Sequence, residues 1–370
     1  MHHRSGASDR VTVRLLGGEE EDFERMAEDI RTGLLFEPKD LSPWPKYFYD
    51  EKGSEIFEEI TALPEYYQTR TELSILKEKS SEIVARTRCR ELVELGSGSA
   101  SKTRALLETM IEARESSGPA EPIRYVPLDV SESALEASAQ RLVREYRTLE
   151  VSGFVGDFDH SLEYLLAHPR QANGFGRLVI FLGGTIGNFT PEQRRSFLER
   201  LQAGLKEGDH ILVGLDLIKS RNVLEAAYDD AAGVTSRFNK NLLNVLNRKL
   251  GGEFDPDLFD HRVIYNAEAE RVEMWLDSKI AQKVPVAALG IVVPFKEGEG
   301  IRTEISSKFT REKVAVTFRE AGLQLLDLYT DDEHLFGLAL GAPTGETSGS
   351  SIAARNQSYS SGWKGRLILK

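Results

Sequence analysis

The feature that most constrains the fold of this chain is an alternation, from residue 91 onward, of short apolar runs with helix-like segments. This alternation is typical of a parallel β-sheet flanked by helices. The predicted strands occupy residues 91–97, 124–130, 151–157, 177–184 and 210–217. Because a plausible helix follows each of the first four strands, we predict a doubly wound α/β core.

Two of these helices have N-terminal capping signals. Ser133 is followed three residues later by Glu136, a spacing that predicts a capping box for the second helix. Thr190 stands before Pro191, an order that predicts a cap followed by proline in the first turn of the fourth helix. We therefore expect both helices to begin at these residues.

The alternation breaks after the fifth predicted strand. A helical stretch follows at 234–250, and β-rich segments follow it at 261–268, 271–281 and 302–309. Together they predict an antiparallel insertion. A helix is then predicted at 311–322, followed by two apolar runs at 323–330 and 334–341. We predict that these two runs return to the sheet as a terminal hairpin.

At 370 residues, the chain is longer than the roughly 100 to 200 residues of one domain. We expect the sheet core in residues 72–218 and 310–340. A second α+β domain is expected from residues 1–71, which are rich in aromatic residues, packed beside the insertion at 219–309. Residues 341–370 are predicted to be a flexible tail, because mostly small and polar residues there bury too little apolar surface.

Composition excludes several classes of function. The formal charge of −12 disfavours a nucleic-acid partner, which needs a broad basic surface. No run approaches the roughly 18 apolar residues of a membrane helix, so no membrane partner is expected. The single cysteine, Cys89, excludes an internal disulfide and a multi-cysteine zinc site. We expect a cytoplasmic monomer that acts on a small molecule.

Glycines and acidic residues follow the predicted strands, at the edge where open α/β sheets bind ligands. Residues 96–98 read GSG, which lets a ligand approach the backbone but lacks the third glycine of a dinucleotide fingerprint. Asp129 ends the second strand, where an acidic side chain can bind ribose hydroxyls. Asp157 and Phe158 end the third strand and could hold an adenine ring. These positions predict an adenosine-like ligand without a pyrophosphate, which favours S-adenosylmethionine over NAD.

Each of these residues also has a simpler structural explanation. The glycines could form a tight turn without a ligand, and Asp129 could cap the next helix. Asp157 and Phe158 could be ordinary strand-end and core residues. The occurrence of all three features at adjacent strand tips favours the ligand site.

The fourth strand tip, residues 183–188, reads GGTIGN. Three glycines beside one amide, Asn188, suit a small substrate that approaches the backbone closely. A flexible loop is the alternative. We predict that the substrate lies beside this loop.

Six segments of the chain resemble the motifs of one enzyme family. EYYQTRTE, ELGSGSASKT, FLGGTIGN, AYDDAAGVT, EMWL and TEISSKF are similar to motifs of the bacterial histidine Nα-methyltransferases of ergothioneine biosynthesis. They occur in unbroken order over roughly residues 30–340. The resemblance implies a class I methyltransferase fold with a second domain. It also implies transfer of three methyl groups from S-adenosylmethionine to the α-amino group of L-histidine, which gives hercynine.

The resemblance further implies two sets of site residues. S-Adenosylmethionine is implied to contact Gly96, Lys102, Asp129, Asp157 and Phe158. L-Histidine is implied to contact Tyr66, Gly183, Asn188, Tyr228, Met274, Glu304 and Ser306. Asn188 and Tyr49 are the implied catalytic residues. Gly184 stands where the family loop often has serine, a difference that could change the stiffness of the loop.

The residue types suit these roles. Neutral imidazole has one N–H donor and one acceptor nitrogen, and Glu304 and Ser306, two apart on one face of a strand, can satisfy both. Tyr66 and Tyr228 could bind the substrate carboxylate through their hydroxyls. Lys102 could pair with the carboxylate of the cofactor. The structural alternatives are a solvent-facing strand, core tyrosines and a surface lysine.

Methyl transfer is an in-line displacement at a sulfonium carbon, so the protein needs mainly to align an unprotonated amine and to exclude water. The residues do not identify a general base. The seven histidines show no spacing typical of metal ligands, so no metal is expected.

Two other functions compete with this hypothesis. The first is N-methylation of another amino acid such as tryptophan, which Glu304 beside Ser306 disfavours because indole has no acceptor nitrogen and no use for a second polar partner. The second is non-catalytic binding of an adenosyl ligand. The presence of Gly96, Asp129 and Asn188 argues against such a loss of catalysis.

Overall fold

The computed structural model describes residues 10–16, 19–98, 100–115, 122–167 and 175–344. Numbered in chain order, the strands of this part are β1 Val11–Leu15, β2 Glu91–Leu95, β3 Ile123–Asp129, β4 Leu149–Val155, β5 Arg177–Phe181, β6 His210–Asp216, β7 Phe259–Asn266, β8 Arg271–Ser278, β9 Gln282–Val286, β10 Ile291–Phe295, β11 Gly300–Ser307, β12 Leu323–Thr330 and β13 Phe336–Pro343.

Eight of these strands form one sheet in the order β1-β4-β3-β2-β5-β6-β13-β12. The strands from β1 to β6 pair in parallel, whereas β13 pairs antiparallel with both β6 and β12. This is the sheet of a class I methyltransferase, as the resemblance implies. The five predicted strands and the terminal hairpin are confirmed.

The sheet is buried on both faces. Successive residues of β2 enter different hydrophobic clusters, with Leu92 on one side of the sheet and Val93 on the other. Helices cover these faces, and those of the core are α3 Tyr67–Thr87, α4 Arg104–Glu115, α5 Glu132–Glu145, α6 Phe158–Ala167, α7 Pro191–Gly204 and α10 Arg311–Glu320. The doubly wound α/β core is therefore confirmed.

The capping predictions had different outcomes. Thr190 caps α7, with Pro191 in the first turn, as predicted, and it also forms a capping box with Gln193. The prediction of Ser133 as the cap of α5 is wrong, because the N-cap is Ser131, whose hydroxyl accepts a hydrogen bond from the amide of Ala134. The helix starts two residues early because Asp129 Oδ1 accepts the Ser131 amide at 2.9 Å and fixes the turn that precedes the helix.

Strand β1 belongs to the core sheet, although it lies within residues 1–71, all of which the sequence analysis assigns to the second domain. It pairs in parallel with β4, with Val11 opposite Val151. The VTVRL alternation was a usable signal. At the edge of the sheet, however, most of its side chains remain partly or fully exposed, so the apolar pattern is short.

The second unit combines the N-terminal helices with the insertion. Strands β7, β8 and β11 form one antiparallel sheet, and β9 and β10 form another. One hydrophobic cluster contains residues of both segments, including Ile30, Phe48, Phe238 and Leu276. The helices of this unit are α1 Glu19–Leu35, α2 Glu51–Thr61, α8 Arg221–Ala226 and α9 Val234–Leu250. The antiparallel insertion and its packing against the N-terminal segment are therefore observed.

Two further features concern the ends of the described chain. Strand β13 continues to Pro343, beyond the expected start of the tail at residue 341. The rest of that predicted flexible tail, from residue 345, lies outside the described residues. Among the helices that are described, none is both long and apolar enough to cross a membrane.

The carboxyl ends of β5 and β6 enclose the carboxylate of Glu72, a fully buried residue of α3. Its oxygens accept the amide of Gly183 at 2.9 and 3.0 Å. A Cβ added to Gly214 of β6 would lie 2.1 Å from Glu72 Oε1. Glycine at 214 is therefore what allows a helix carboxylate to reach the strand tips.

We predict that Gly214→Ala lowers the free energy of unfolding by about 1–3 kcal/mol, the usual cost of overpacking a close-packed interior. Urea denaturation measures it. In a Glu72→Ala background the same substitution should cost much less, because the atom that it clashes with is gone. Equal costs in both backgrounds would contradict the packing described.

Candidate active site

The loop after β2 is open to a ligand. Gly96 and Gly98 have φ of +73° and +48°, a left-handed conformation that favours glycine. A Cβ added to either residue would meet nothing within 4 Å, so the backbone borders open space. The predicted close approach of a ligand to this loop is sterically available.

Asp129, at the end of β3, ties this loop to the neighbouring strand. Its Oδ2 accepts the amide of Gly98 at 2.7 Å, while Oδ1 accepts the amide of Ser131. A carboxylate has about four lone-pair positions, so two remain for hydroxyl donors of a ligand. Asp129 therefore supports the loop and can still bind a ribose.

Asp157 follows β4, beside Asp129, and is paired with a residue that sequence reasoning missed. Lys46, in a short 3-10 helix at Pro45–Phe48, places its Nζ 2.5 Å from Asp157 Oδ2. The ring of Phe158 packs at 5.5 to 6.0 Å, centroid to centroid, against Phe181, Phe189 and Phe197. Phe158 is thus partly buried against the core, and its contact with adenine stays a prediction.

Lys102 points toward the tips of β5 and β6 and forms an ion pair with the buried carboxylate of Glu72. The same carboxylate accepts the Gly183 amide, so Glu72 connects the predicted cofactor lysine to the predicted substrate loop. Sequence reasoning did not single out Glu72. Its signal was a charged residue in a helix segment with buried neighbours such as Ile75 and Leu76.

The GGTIGN loop turns sharply at its glycines. Gly183 and Gly184 have φ of +82° and +69°, and Gly184 is the N-cap of a 3-10 helix at Thr185–Asn188. Serine, which the resemblance leads one to expect at 184, would be strained in this conformation, whereas glycine is not. A Cβ on Gly187 would lie 2.9 Å from the carbonyl oxygen of Ser307, so this loop lies directly against β11.

Asn188 ends that 3-10 helix and is half-buried. Its amide has no hydrogen-bond partner within the described part of the chain. An amide that donates and accepts is therefore available beside β11, which suits the predicted contact with a substrate amine.

Glu304 and Ser306 project from β11 next to this loop. Glu304 lies opposite Met274 of β8, and a register shift between Arg302 and Glu304 marks a β-bulge. Bulges commonly re-aim side chains at functional sites. Met274 is buried among apolar residues, as expected for one wall of a pocket.

Three tyrosines, Tyr49, Tyr66 and Tyr228, lie close enough to Glu304 for its charge to raise their pKa values. Burial raises the pKa of Tyr49 above its ordinary value, and the charges of Glu304 and Tyr228 raise it further. Burial likewise raises the pKa of Tyr66, with additional contributions from Tyr228, Tyr49 and Glu304. These phenols stay protonated near neutral pH, so they can donate hydrogen bonds but cannot act as general bases.

The Glu304 carboxyl is buried and receives no hydrogen bond from any residue that the structure describes. Burial raises its pKa to about 7, although Lys308 opposes the shift. A buried carboxylate without a donor is costly, so a ligand that brings an N–H to it is favoured. This is the chemistry that an imidazole ring supplies.

A buried ionic cluster, consisting of Asp216, Lys219 and Lys308, lies behind this pocket. Lys308 Nζ lies 2.7 Å from Asp216 Oδ2, and Lys219 Nζ lies 2.5 Å from Oδ1. Tyr67 also donates to Asp216, at 2.8 Å. Burial alone would raise the pKa of Asp216, but Lys308 and Lys219 outweigh it and hold that pKa below its usual range.

Sequence reasoning missed this cluster. Asp216 ends an apolar strand, as Asp129 does, and that position was a usable signal. Lys308 is two residues after Ser306 in the TEISSKF motif, but a lysine in a polar motif gives no indication that it is buried. In the described part of the chain, no three His, Cys, Asp or Glu side chains are grouped as metal ligands would be.

The predicted site residues therefore lie in two adjoining groups. The cofactor group follows the tips of β2, β3 and β4. The substrate group consists of residues from the GGTIGN loop, from β8 and from β11, together with the tyrosines near Glu304. Gly183 and Gly187 connect them through Glu72 and β11.

Comparison with known proteins identifies the family to which the chain is similar. The sequence profile of a family described as histidine-specific methyltransferase, SAM-dependent, matches residues 26–343. The chain is 45% identical over 317 residues to the histidine N-alpha-methyltransferase of Mycolicibacterium smegmatis, across 86% of this chain and 94% of that protein. It is 43% identical over 333 residues to that of Mycobacterium tuberculosis, across 90% and 99%. Identity to ergothioneine biosynthesis protein 1 of Schizosaccharomyces pombe is 30% over 311 residues, across 80% of this chain and 39% of that protein.

The raised pKa of Glu304 predicts a cost in stability. Because the folded protein holds the Glu304 proton more tightly than the unfolded chain, this residue makes stability fall as pH rises from about 4.5 to about 7. Glu304→Gln removes the titration and should raise the free energy of unfolding at pH 8 by on the order of 3 kcal/mol, and by much less at pH 5.

Chemical denaturation at both pH values measures this difference. Glu58→Gln, at an exposed position of α2, is the matched control and should change stability little at either pH. A Glu304→Gln protein that is no more stable than the parent at pH 8 would contradict the buried, unpaired carboxyl.

Proposed function

The chain belongs to the family of S-adenosylmethionine-dependent, histidine-specific methyltransferases, and we propose that it transfers methyl groups from S-adenosylmethionine to the α-amino group of L-histidine. Three successive transfers give hercynine, the first step of ergothioneine biosynthesis. The observation that carries this proposal is the buried, unpaired Glu304 beside Ser306, next to the Asn188 loop, in a chain whose family match spans residues 26–343.

The residues present fit the cofactor. Gly96 and Gly98 border open space, and Asp129 has lone pairs for ribose hydroxyls. We propose that Asp157 and Phe158 hold the adenine ring and that Lys102 pairs with the amino acid carboxylate. S-Adenosylmethionine supplies an electrophilic methyl group on a sulfonium.

The substrate residues fit histidine. Glu304 can accept the imidazole N–H and Ser306 can donate to the other ring nitrogen, while Met274 packs against the ring. We propose that Tyr66 binds the carboxylate, because its protonated hydroxyl has no partner within the described chain. Gly183 and Tyr228 complete the pocket.

The chemistry then depends mainly on alignment. Asn188 would hold the α-amino group with its lone pair toward the methyl carbon, and Tyr49 would donate a hydrogen bond nearby. The amine must be neutral to attack and must lose protons between transfers. The nearby tyrosines are held protonated and cannot accept these protons. We propose that water, rather than a side chain, removes the protons from the amine.

Tryptophan is the strongest alternative substrate. Indole offers an N–H to Glu304 but no acceptor nitrogen for Ser306, so one polar partner would stay unsatisfied in a buried pocket. A non-catalytic role as an adenosyl-binding protein would not require the Glu304 and Ser306 pair at all.

Binding measurements separate these functions. Melting temperature is measured with S-adenosylhomocysteine, histidine and tryptophan, singly and in pairs. We expect stabilisation by S-adenosylhomocysteine alone and a further rise when histidine, but not tryptophan, is added. A further rise only with tryptophan would reject histidine as the substrate, and a response to S-adenosylhomocysteine alone would favour the non-catalytic role.

We further propose that the enzyme acts as a cytoplasmic monomer, without nucleic-acid or membrane partners. The net charge of −12 supports the absence of a nucleic-acid partner. Cys89 is buried, which raises the pKa of its thiol to about 11 and makes it unreactive. Light scattering coupled to size exclusion tests the oligomeric state.

Asp129→Ala should weaken S-adenosylhomocysteine binding about ten- to hundredfold, because a charge-assisted hydrogen bond of about 1.5–3 kcal/mol is lost. Asp129→Asn keeps one acceptor oxygen and the shape, so its loss should be smaller. Titration calorimetry on folded variants compares them. Unchanged affinity in Asp129→Ala would reject the ribose contact.

A further inference from the structure

We propose that Lys308 is a positioning residue for the substrate, because its buried ammonium group makes the Ser306 hydroxyl a hydrogen-bond donor to the imidazole ring. This inference rests on the proposed function. Lys308 is not among the site residues expected from the sequence.

The ammonium group of Lys308 is fully buried and fully paired. Its Nζ lies 2.7 Å from Asp216 Oδ2, 2.9 Å from Ser306 Oγ and 3.0 Å from the Tyr228 hydroxyl. Lysine has three donors, and these three acceptors use all of them. Lys308 therefore has no donor left for substrate and acts only through the groups that it contacts.

The Tyr228 hydroxyl has one direction in which to donate. Its oxygen accepts from Lys308 at 3.0 Å and from Gln68 Nε2 at 3.4 Å. A hydroxyl oxygen has two lone pairs, so its proton goes to the remaining neighbour, Ser306 Oγ, at 2.8 Å. The Tyr228 hydroxyl thus acts on the substrate through Ser306 and has no proton left to donate to the substrate carboxylate, a role that its residue type had suggested.

The same count fixes Ser306. Its oxygen accepts from Lys308 and from Tyr228, which uses both lone pairs. Only its own O–H remains, and that group can donate but not accept. Glu304, two residues earlier on the same strand, is an acceptor when ionised. The pair is therefore one donor and one acceptor, which matches neutral imidazole and leaves an indole ring with one partner missing.

Asp216 keeps the lysine charged at this depth. Burial alone would lower the pKa of Lys308, but Asp216 and Tyr228 outweigh that effect and raise it. Asp216 is also paired with Lys219, which contacts neither Tyr228 nor Ser306 in the hydrogen bonds of the described chain. Removing Lys308 consequently leaves Asp216 with a cation, so the cluster can survive the substitution.

The test is a double-mutant cycle on histidine affinity. Calorimetry measures histidine binding to enzyme saturated with S-adenosylhomocysteine for the parent, Lys308→Met, Ser306→Ala and the double variant. We expect each single variant to weaken histidine binding about ten- to hundredfold, and the double variant to be scarcely weaker than either single one. Affinity for S-adenosylhomocysteine should stay within about twofold of the parent.

Lys219→Met is the matched control, since it removes the other cation of the cluster but leaves the Ser306 contacts in place. It should change histidine affinity less than about threefold. Lys308→Gln, which is neutral but retains an N–H donor, provides a second variant if the methionine variant does not fold, and we expect an intermediate loss.

Independent effects of Lys308 and Ser306, or an equal loss in Lys219→Met, would overturn the inference. So would a Lys308 variant, whether methionine or glutamine, that binds histidine like the parent. Failure of the proposed function is a separate outcome, because the parent enzyme itself would then not bind histidine in the presence of S-adenosylhomocysteine.

Discussion

The buried ion pair between Asp216 and Lys308 joins the two units on which the site depends. Asp216 ends the last parallel strand of the core, and Lys308 directly follows β11 of the insertion. The backbone repeats the connection, since the amide of Phe309 donates to the carbonyl of Asp216 at 2.9 Å. A second main-chain bond runs from the amide of Ile218 to the carbonyl of Phe309 at 3.0 Å. One side-chain pair and two main-chain bonds therefore hold the substrate strand against the strand tips, where the cofactor residues lie.

That junction explains why the imidazole pocket is both buried and polar. Glu304 lies there without a hydrogen-bond partner in the described chain, and burial raises its pKa to about 7. Both lone pairs of Ser306 Oγ are used by Lys308 and Tyr228, which leaves its O–H to donate to a ligand. Such an arrangement costs stability in the free protein and is satisfied only when a ligand supplies the missing N–H. Stability and selectivity are thus set by the same carboxyl.

Much of the fold and part of the site could be predicted from the sequence, because periodic burial and glycine turns leave local signals. The strands that end at Leu95 and Asp129 and the GGTIGN loop are of this kind. Strand β1 is short and mostly exposed, and the cap at Ser131 depends on a contact from Asp129. Lys308 and Glu72 were missed, because local sequence says little about burial that results from contacts between segments far apart in the chain.

The central claim is that this pocket presents the α-amino group of histidine to the methyl donor. The most direct measurement is tandem mass spectrometry of the product formed by the purified protein from L-histidine and S-adenosylmethionine. The predicted result is three methyl groups on the α-nitrogen and three equivalents of S-adenosylhomocysteine. Methyl groups on an imidazole nitrogen, or methylation of tryptophan in preference to histidine, would contradict the claim.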